Sequence, residues 1–229
     1  MSAKIVSQTC VVIPAYQAEP AIGAVVAAIV AQGLRVIVVD DASRDRTALT
    51  AQEAGAQVIR RQMNGGKGTA LRGGLQAAME QGYAWVLTMD ADGQHLPTEI
   101  PYFLETAARG EADIILGDRM SNPRGMPLER RFTNWFLSSI LSSVVGQQIP
   151  DTQCGFRMVS RQVLERLNLS ADRFEIESEL VVKGVWAGFR QVSVPVSSVY
   201  RRSLSFIHPL GDTLRFFRFL LSVRRHNHS

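Results

Sequence analysis

Short apolar runs alternate with helical patterns along the first half of the chain. The runs are rich in valine, isoleucine and leucine, a pattern typical of strands that are buried on both faces of a sheet. Strands are predicted at residues 9–14, 35–40, 57–61, 85–90 and 112–117. Between them, helices are predicted at residues 18–32, 45–53, 67–81 and 97–109. This alternation predicts an α/β domain whose sheet is mostly parallel.

The pattern changes after about residue 118, where a loop rich in proline, glycine and arginine begins. The later elements are predicted as helices at 128–145 and 176–187 and a strand at 191–196. A last helical pattern follows Pro209. No internal repeat or linker divides the chain, so we expect one main domain, residues 1–205, followed by a basic amphipathic helix at 206–229.

The composition excludes some kinds of site and segment but does not identify a function. The chain has 229 residues, of which 46% are hydrophobic, and a formal net charge of +4, which suits phosphate ligands, nucleic acid or an anionic membrane surface. Cys10 and Cys154 belong to no CxxC pair, which excludes a zinc cluster of that kind and leaves a cytosolic setting as the expectation. The N-terminus lacks the apolar segment of a secretion signal. Residues 132–150 carry no charge but are too polar for a bilayer span.

Polar residues follow the predicted strands, at the edge where ligands bind in open α/β sheets. The string DADGQH at 90–95 is the sharpest of these. Two carboxylates, Asp90 and Asp92, can converge on one divalent cation, with Gln94 adding an amide oxygen and His95 contacting a metal or a phosphate. The alternative is a polar turn in which Asp92 caps the next helix.

Two further strand ends suit nucleotide binding. Asp40 ends an apolar strand and can accept hydrogen bonds from a base or ribose, whereas Asp41 or Ser43 can instead cap the next helix. The glycine-rich turn at 64–69 places Lys67 at a helix N-terminus, which suits a phosphate. It lacks the first glycine of a P-loop and its Ser/Thr after the lysine, so a P-loop is rejected.

Taken in order, these motifs resemble the GT-A family 2 glycosyltransferases, especially polyprenyl-phosphate sugar transferases of the dolichyl-phosphate mannose synthase type. The matching segments are VIPAY at 12–16, VDDAS at 39–43 with Asp45, residues 64–68, DADGQH at 90–95, GDR at 117–119, DTQCGFR at 151–157 and EIE at 175–177. The resemblance spans about residues 10–202. It implies a Rossmann-like nucleotide-binding α/β/α sandwich of the GT-A type with C-terminal amphipathic helices.

The resemblance also implies an inverting, metal-dependent hexosyltransferase with a nucleotide-sugar donor, UDP- or GDP-linked. Donor binding falls to Pro14, Ala15, Tyr16, Asp40, Lys67 and Asp90. Mg²⁺ or Mn²⁺ would be held by Asp90, Asp92 and Gln94. The cation offsets charge on the departing nucleoside diphosphate, so Asp92 is counted among the catalytic residues with Arg119 and Arg131.

A polyprenyl phosphate acceptor is already an anion and needs cations rather than a base. Arg119, Arg130, Arg131 and Arg157 are candidates for this role, and the resemblance places Arg119 and one of the pair Arg130 and Arg131 at the acceptor phosphate. The alternative for Arg130 and Arg131 is an exposed basic turn. Asp151 and Arg157 can form a local ion pair. Glu175 and Glu177 can cap a helix, balance Arg157, contact sugar hydroxyls or act as base for an alcohol acceptor.

A lipid acceptor requires contact with a membrane. Apolar residues from Trp135 to Val145 recur at helical spacing directly after two arginines, and the tail from Phe206 to Arg225 mixes aromatic residues with arginines. Such helices can lie in the lipid interface, although a core or dimer helix has the same pattern. The turn Tyr200–Ser203 is expected to close over the donor or to be an ordinary surface loop. We therefore expect a peripheral protein on the cytoplasmic face, acting alone or with a separate membrane protein.

Other functions are kept as alternatives. The same domain can act on a sugar hydroxyl in polysaccharide or glycan synthesis, or it can be a non-catalytic module that binds a nucleotide sugar. A nucleotidyltransferase would release pyrophosphate instead of a nucleoside diphosphate. Nucleic-acid binding is disfavoured, because the basic residues lack an array of aromatic residues for base stacking.

Overall fold

The computed structural model describes residues 3–197 and 199, and these form seven strands around which helices pack. The strands are β1 (Thr9–Ala15), β2 (Arg35–Asp40), β3 (Gln57–Arg60), β4 (Trp85–Thr88), β5 (Ile114–Asp118), β6 (Arg157–Ser160) and β7 (Gln191–Pro195). The helices are α1 (Ala3–Ser7), α2 (Glu19–Val30), α3 (Thr47–Glu53), α4 (Lys67–Glu80), α5 (Ile100–Ala108), α6 (Leu128–Val145), α7 (Arg161–Arg166) and α8 (Glu175–Trp186).

All seven strands belong to one sheet with the order β3-β2-β1-β4-β6-β5-β7. The strand pairs β1–β2, β1–β4, β2–β3 and β5–β7 are parallel, which confirms the predicted parallel α/β sheet. Strand β6 runs antiparallel between β4 and β5. Its first residue therefore lies at the same edge as the last residues of its neighbours, and Arg157 pairs with Thr88 and Leu116.

Two hydrophobic cores cover the two faces of this sheet. One packs side chains of α2 and α5 on alternate residues of the central strands, including Val11 and Leu87. The other packs α4, α6 and α8 on the remaining residues, including Val12. Helix α4 lies close to the sheet because Gly74 faces it: a Cβ there would be 2.3 Å from a methyl carbon of Val12. The α/β/α sandwich predicted from the resemblance is confirmed.

The sequence pattern missed three elements. Strand β6 has only four residues and begins with an arginine, and α1 and α7 are too short to show a period. The predicted helix at 97–109 divides into a 3₁₀ turn, Pro97–Glu99, and α5. The predicted helix at 206–229 and the turn at 200–203 lie outside the described residues. Within the described part of the chain, no helix combines the length and apolar character needed to span a membrane.

Candidate functional site

The carboxyl edge of the sheet gathers most of the residues singled out in the sequence. Ala15 and Asp40 are register partners at the ends of β1 and β2, and the backbone N–H of Asp41 donates to the carbonyl of Ala15 at 2.8 Å. Pro14 is half-buried and Tyr16 exposed on either side of Ala15. These predicted donor residues therefore lie together at the carboxyl ends of β1 and β2, next to the end of β4.

One carboxylate oxygen of Asp40 accepts no hydrogen bond. Its side chain is fully buried, and Oδ1 accepts the backbone N–H of Ser43 at 3.1 Å. Oδ2 has no hydrogen-bond partner, and the nearest cation is Nε of Arg60 at 3.4 Å. Because a buried carboxylate oxygen is costly to leave without a hydrogen bond, this atom suits a donor group of a ligand.

Asp41 and Ser43 do not cap the next helix, contrary to the alternative drawn from the sequence. The carboxylate of Asp41 accepts the backbone N–H groups of Gly65 and Gly66 and pairs with Arg61. Ser43 Oγ accepts the N–H of Gln17. Asp41 therefore fixes the glycine-rich turn to the end of β2, and its bonds occupy two of the amides that a phosphate would otherwise use.

Lys67, at the start of α4, lies between two carboxylates. Its Nζ is 2.5 Å from Oδ1 of Asp90 and 2.6 Å from Oε1 of Glu177, and it lies 5.4 Å from the centre of the Phe174 ring. Burial favours the neutral amine, but Asp90 and Glu177 outweigh it and raise the pKa of Lys67 above its ordinary range. The lysine therefore remains positively charged at neutral pH.

Asp90 is held from two sides. Its backbone N–H donates to Nδ1 of His95 at 3.4 Å, which places the His95 proton on Nε2, 3.9 Å from Oδ2 of Asp90. Burial opposes ionisation, but the Lys67 ammonium outweighs it and holds the pKa of the Asp90 carboxyl well below its usual range, with a smaller contribution from Arg119. Asp90 is thus ionised at neutral pH.

His95 supports this turn from inside the protein. It is 2% exposed and stacks on Phe156 with ring centres 5.2 Å apart, and burial lowers its pKa. Its Nε2 also lies 3.9 Å from the Cys154 thiol, whose pKa burial raises to about 12. His95 is therefore a neutral positioning residue for Asp90, and its burial argues against the metal or phosphate contact considered from the sequence.

Asp92 and Gln94 form the exposed part of the same turn. Asp92 Oδ1 accepts the backbone N–H of Gln94 at 2.9 Å, and Oδ2 accepts the Gln94 side-chain amide at 2.7 Å. Among the described residues no cluster of three or more His, Cys, Asp or Glu could enclose a metal. Two carboxylates and an amide oxygen instead suit a hard cation that takes its remaining ligands from phosphate and water, so Mg²⁺ or Mn²⁺ fits these residues.

Arg119 is oriented by Asp151. Its Nε lies 2.7 Å from Oδ2 of Asp151 and its NH2 lies 3.0 Å from Oδ1, and the Arg119 backbone N–H also donates to Oδ2. The amide of Asn134 on α6 donates to Oδ1 at 2.9 Å. The sequence did not identify Asn134, although a single buried amide among the apolar residues of that helix is a usable signal. This network ties α6 to the end of β5.

Arg157 has a structural role and is not a phosphate ligand, which corrects the expectation from the sequence. It is 1% exposed, and its guanidinium donates to the backbone carbonyls of Thr152, Cys154 and Glu177. The expected Asp151–Arg157 pair is likewise replaced by Asp151–Arg119. Arg157 holds the segment before β6 in place, and that segment contains Gly155.

Asp151→Asn is expected to lower the free energy of unfolding at pH 7 by about 3 kcal/mol, because it removes one partner of a buried ion pair. Burial opposes ionisation of Asp151, yet Arg119 and Asn134 lower its pKa. The stabilisation is therefore present above the unfolded carboxyl pKa and is lost as the pH falls through the folded value. Urea titrations between pH 7 and pH 3 measure both effects.

Asp113→Asn is the matched control, because Asp113 forms a more exposed pair with Arg190 at the opposite edge of the sheet. That substitution should lower the free energy of unfolding by about 1 kcal/mol or less. Equal costs for the two substitutions, or an unchanged acid limb in Asp151→Asn, would contradict the role given to the Asp151–Arg119 pair.

Helix α6 begins beside this network with Arg130 and Arg131, both exposed. They lie four and three residues before Asn134, so both neighbour it on the helix surface. The aromatic face of α6, defined as Phe132, Trp135 and Phe136, is also exposed, with ring centres of Phe132 and Phe136 6.4 Å apart. Cationic and aromatic side chains therefore adjoin at one end of the site.

Comparisons with known proteins agree with this geometry. The family model described as Glycosyl transferase family 2 matches residues 10–167. A UDP-N-acetylglucosamine–dolichyl-phosphate N-acetylglucosaminyltransferase of Methanococcus voltae is 30% identical, with 82% of this chain and 84% of that protein covered. A polyprenol monophosphomannose synthase of Mycolicibacterium smegmatis is 28% identical, with 91% and 83% covered.

Among solved structures, the fold is similar to that of glucosyl-3-phosphoglycerate synthase from Mycobacterium tuberculosis. The complex of that enzyme with Mn²⁺, UDP and glucosyl-3-phosphoglycerate superposes with a TM-score of 0.72 at 21% identity, covering 95% of this chain and 80% of the other. At this identity the similarity establishes the fold alone.

Proposed function

The chain belongs to glycosyl transferase family 2, and on that premise we propose that it transfers a sugar from a nucleotide-sugar donor to polyprenyl phosphate with the help of a divalent cation. Its activity as a glycosyltransferase follows from the family and the relatives. The names of two relatives, from Methanococcus voltae and Mycolicibacterium smegmatis, specify dolichyl phosphate and a polyprenol monophosphate product, and these guide the acceptor assignment.

The donor half of the proposal uses the residues at the ends of β1, β2 and β4. Asp40 offers a buried oxygen without a hydrogen-bond partner to the base or ribose, and Pro14, Ala15 and Tyr16 lie beside it at the end of β1. Lys67 offers its ammonium to the diphosphate. The amides of the glycine-rich turn contribute less than the sequence suggested, since Asp41 occupies those of Gly65 and Gly66.

The cation is assigned to Asp90, Asp92 and Gln94. In the related fold from Mycobacterium tuberculosis a complex contains Mn²⁺ and UDP, and the oxygen donors here suit Mn²⁺ or Mg²⁺. When bound, such a cation offsets the charge that develops on the leaving nucleoside diphosphate. His95 keeps the Asp90 backbone in place through the hydrogen bond to its Nδ1.

A phosphate acceptor agrees with the state of three carboxylates that lie beside Arg119 or Lys67. Asp118 accepts the N–H groups of Met120 and Ser121, Asp151 pairs with Arg119, and Glu177 pairs with Lys67. Each of these three is already engaged, so none is poised to deprotonate an alcohol. A phosphate needs no such base, and the guanidinium groups of Arg119, Arg130 and Arg131 are suited to position it.

The observation that carries the acceptor assignment is the adjacency of Arg130 and Arg131 to the aromatic face of α6. Phe132 is 65% exposed and Trp135 56% exposed, which is unusual for large aromatic side chains unless they meet a partner. We assign that partner as the surface of a lipid bilayer, with the arginines at the level of the phosphates. The protein would bind peripherally at the cytoplasmic face, alone or beside a separate membrane protein.

Replacing Phe132, Trp135 and Phe136 together by serine is expected to weaken binding to anionic phospholipid vesicles by about tenfold or more, because the buried aromatic area is lost. Co-sedimentation of the full chain with vesicles measures it. Leu49→Ser is the matched control, since Leu49 on α3 is 46% exposed and should not affect binding. If the triple variant co-sediments with vesicles as much as the wild type does, the membrane contact lies elsewhere on the protein.

The acceptor is tested by incubating the protein with labelled UDP- and GDP-sugars and polyprenyl phosphate. Label should move into the organic phase with one of these donors. Product that appears only on a soluble glycan would favour a sugar hydroxyl acceptor, and donor binding without turnover would favour a non-catalytic module.

A further inference from the structure

We propose that Lys67 is an exchangeable counter-ion that occupies the Asp90 carboxylate until the donor's diphosphate draws it away, and that Glu177 keeps Lys67 within reach during the exchange. The inference rests on the proposed donor site. Its consequence is that divalent-cation binding at Asp90 is weak in the free protein and becomes tight when the nucleotide is present.

The geometry places Lys67 in direct competition for Asp90. Nζ of Lys67 is 2.5 Å from Oδ1 of Asp90, so the ammonium sits against a carboxylate that would also have to contact a cation. Gly155 closes the space beside this pair: a Cβ there would be 2.8 Å from Oδ1 of Asp90 and 3.0 Å from Nζ. A divalent cation on the remaining oxygen, Oδ2, would face the ammonium across the same carboxylate, and the two like charges would repel each other there.

The charges at this site determine how strongly the Lys67 ammonium and a divalent cation compete for Asp90. Lys67 contributes one positive charge against the two negative charges of Asp90 and Glu177, and the side chain of Lys67 is only 17% exposed. In such a partly dehydrated site, removing the ammonium from Asp90 costs more than it would in water. A nucleoside diphosphate lowers this cost because it supplies new anionic oxygens for the same ammonium.

Glu177 explains why Lys67 would remain in the site after leaving Asp90. Its carboxylate is 2.6 Å from Nζ and its side chain is 6% exposed. An ammonium has three N–H donors, so Glu177 can retain one while another turns to phosphate. This makes Glu177 a positioning residue for Lys67, not a base.

The binding of the cation and the binding of the nucleotide are therefore linked. A nucleotide that draws Lys67 away from Asp90 makes cation binding there easier, and a bound cation in turn favours the nucleotide. The coupling free energy is the same in both directions. We expect UDP, or GDP if that is the donor nucleotide, to raise the affinity for Mn²⁺ by about tenfold or more.

The test measures Mn²⁺ binding to the full chain by electron paramagnetic resonance, with and without the nucleoside diphosphate. Lys67→Met should raise the Mn²⁺ affinity of the nucleotide-free protein by about tenfold, because the competitor is gone. With nucleotide present the affinity should not rise, because the lysine is already off Asp90. Lys183→Met is the matched control: Lys183 pairs with Glu179 on the same helix at 2.6 Å and should change neither value.

Lys67→Met leaves the carboxylates of Asp90 and Glu177 without their cation, which destabilises the fold. A double variant controls for this effect. Lys67→Met with Glu177→Gln removes one charge of each sign and should show the same gain, confined to the nucleotide-free protein. An equal gain in both states would mean a general effect of charge and would overturn the exchange, as would no gain at all. Wild-type protein that binds neither Mn²⁺ nor a nucleoside diphosphate would instead refute the proposed function.

Discussion

Asp92→Asn is expected to lower kcat/KM for sugar transfer by about a thousandfold at saturating Mn²⁺. Asp92 lies on the exposed part of the turn after β4, and its hydrogen bonds go to Gln94 within that turn. Its removal should therefore spare the fold while reducing the negative charge that holds the cation against the donor diphosphate. Initial rates of nucleoside diphosphate release across a Mn²⁺ series measure the effect.

The matched control for that experiment is Asp113→Asn. It removes one carboxylate at the amino end of β5, away from the candidate site, and should leave the rate per folded molecule unchanged. Because an amide keeps most of the shape of the turn, far-UV circular dichroism should not distinguish Asp92→Asn from the wild type. A rate within about threefold of wild type would remove Asp92 from the catalytic residues.

Arg119→Lys is expected to lower kcat/KM for the lipid acceptor by about a hundredfold. Asp151 holds the guanidinium through Nε and NH2. Lysine keeps the charge but cannot repeat this fork, so the cation would no longer be oriented toward an acceptor phosphate. Substitution by lysine is preferred to alanine because it leaves the buried Asp151 with a cation.

The Arg119→Lys substitution should change the use of the acceptor but not the binding of the donor nucleotide. The dependence of rate on polyprenyl phosphate should change strongly, whereas UDP or GDP binding measured by calorimetry should stay within about threefold of wild type. Arg124→Ala, an exposed arginine in the loop after β5, serves as the control and should leave both unchanged. A loss of nucleotide binding that equals the loss of rate would reassign Arg119 to the donor.

Much of the fold could be predicted because buried parallel strands and amphipathic helices leave strong periods. The bounds of β2 and α6 agree with the prediction residue for residue. Strand β6 could not be predicted in this way. Its four residues begin with Arg157, and its burial depends on contacts with β4 and β5 that are distant in sequence.

The candidate site residues could be proposed from the sequence, but the residues that they contact could not. Arg157 and Arg119 look alike as candidates for a phosphate. Only the fold shows that Arg157 is buried against backbone carbonyls while Arg119 is held by Asp151. Glu177 is likewise 110 residues from Lys67 in the numbering, so no local pattern connects them. Long-range pairing of charged groups is a property of the folded chain.

The central claim is that the carboxylates after β4 serve a cation-dependent transfer of sugar to a lipid phosphate. The most direct measurement follows nucleoside diphosphate release and organic-extractable sugar in one reaction, with polyprenyl phosphate present and with either Mn²⁺ or EDTA. Equal amounts of the two products are expected with Mn²⁺, and neither product is expected with EDTA. Equal formation in EDTA, or diphosphate release with no lipid-linked sugar for any UDP- or GDP-sugar, would contradict it.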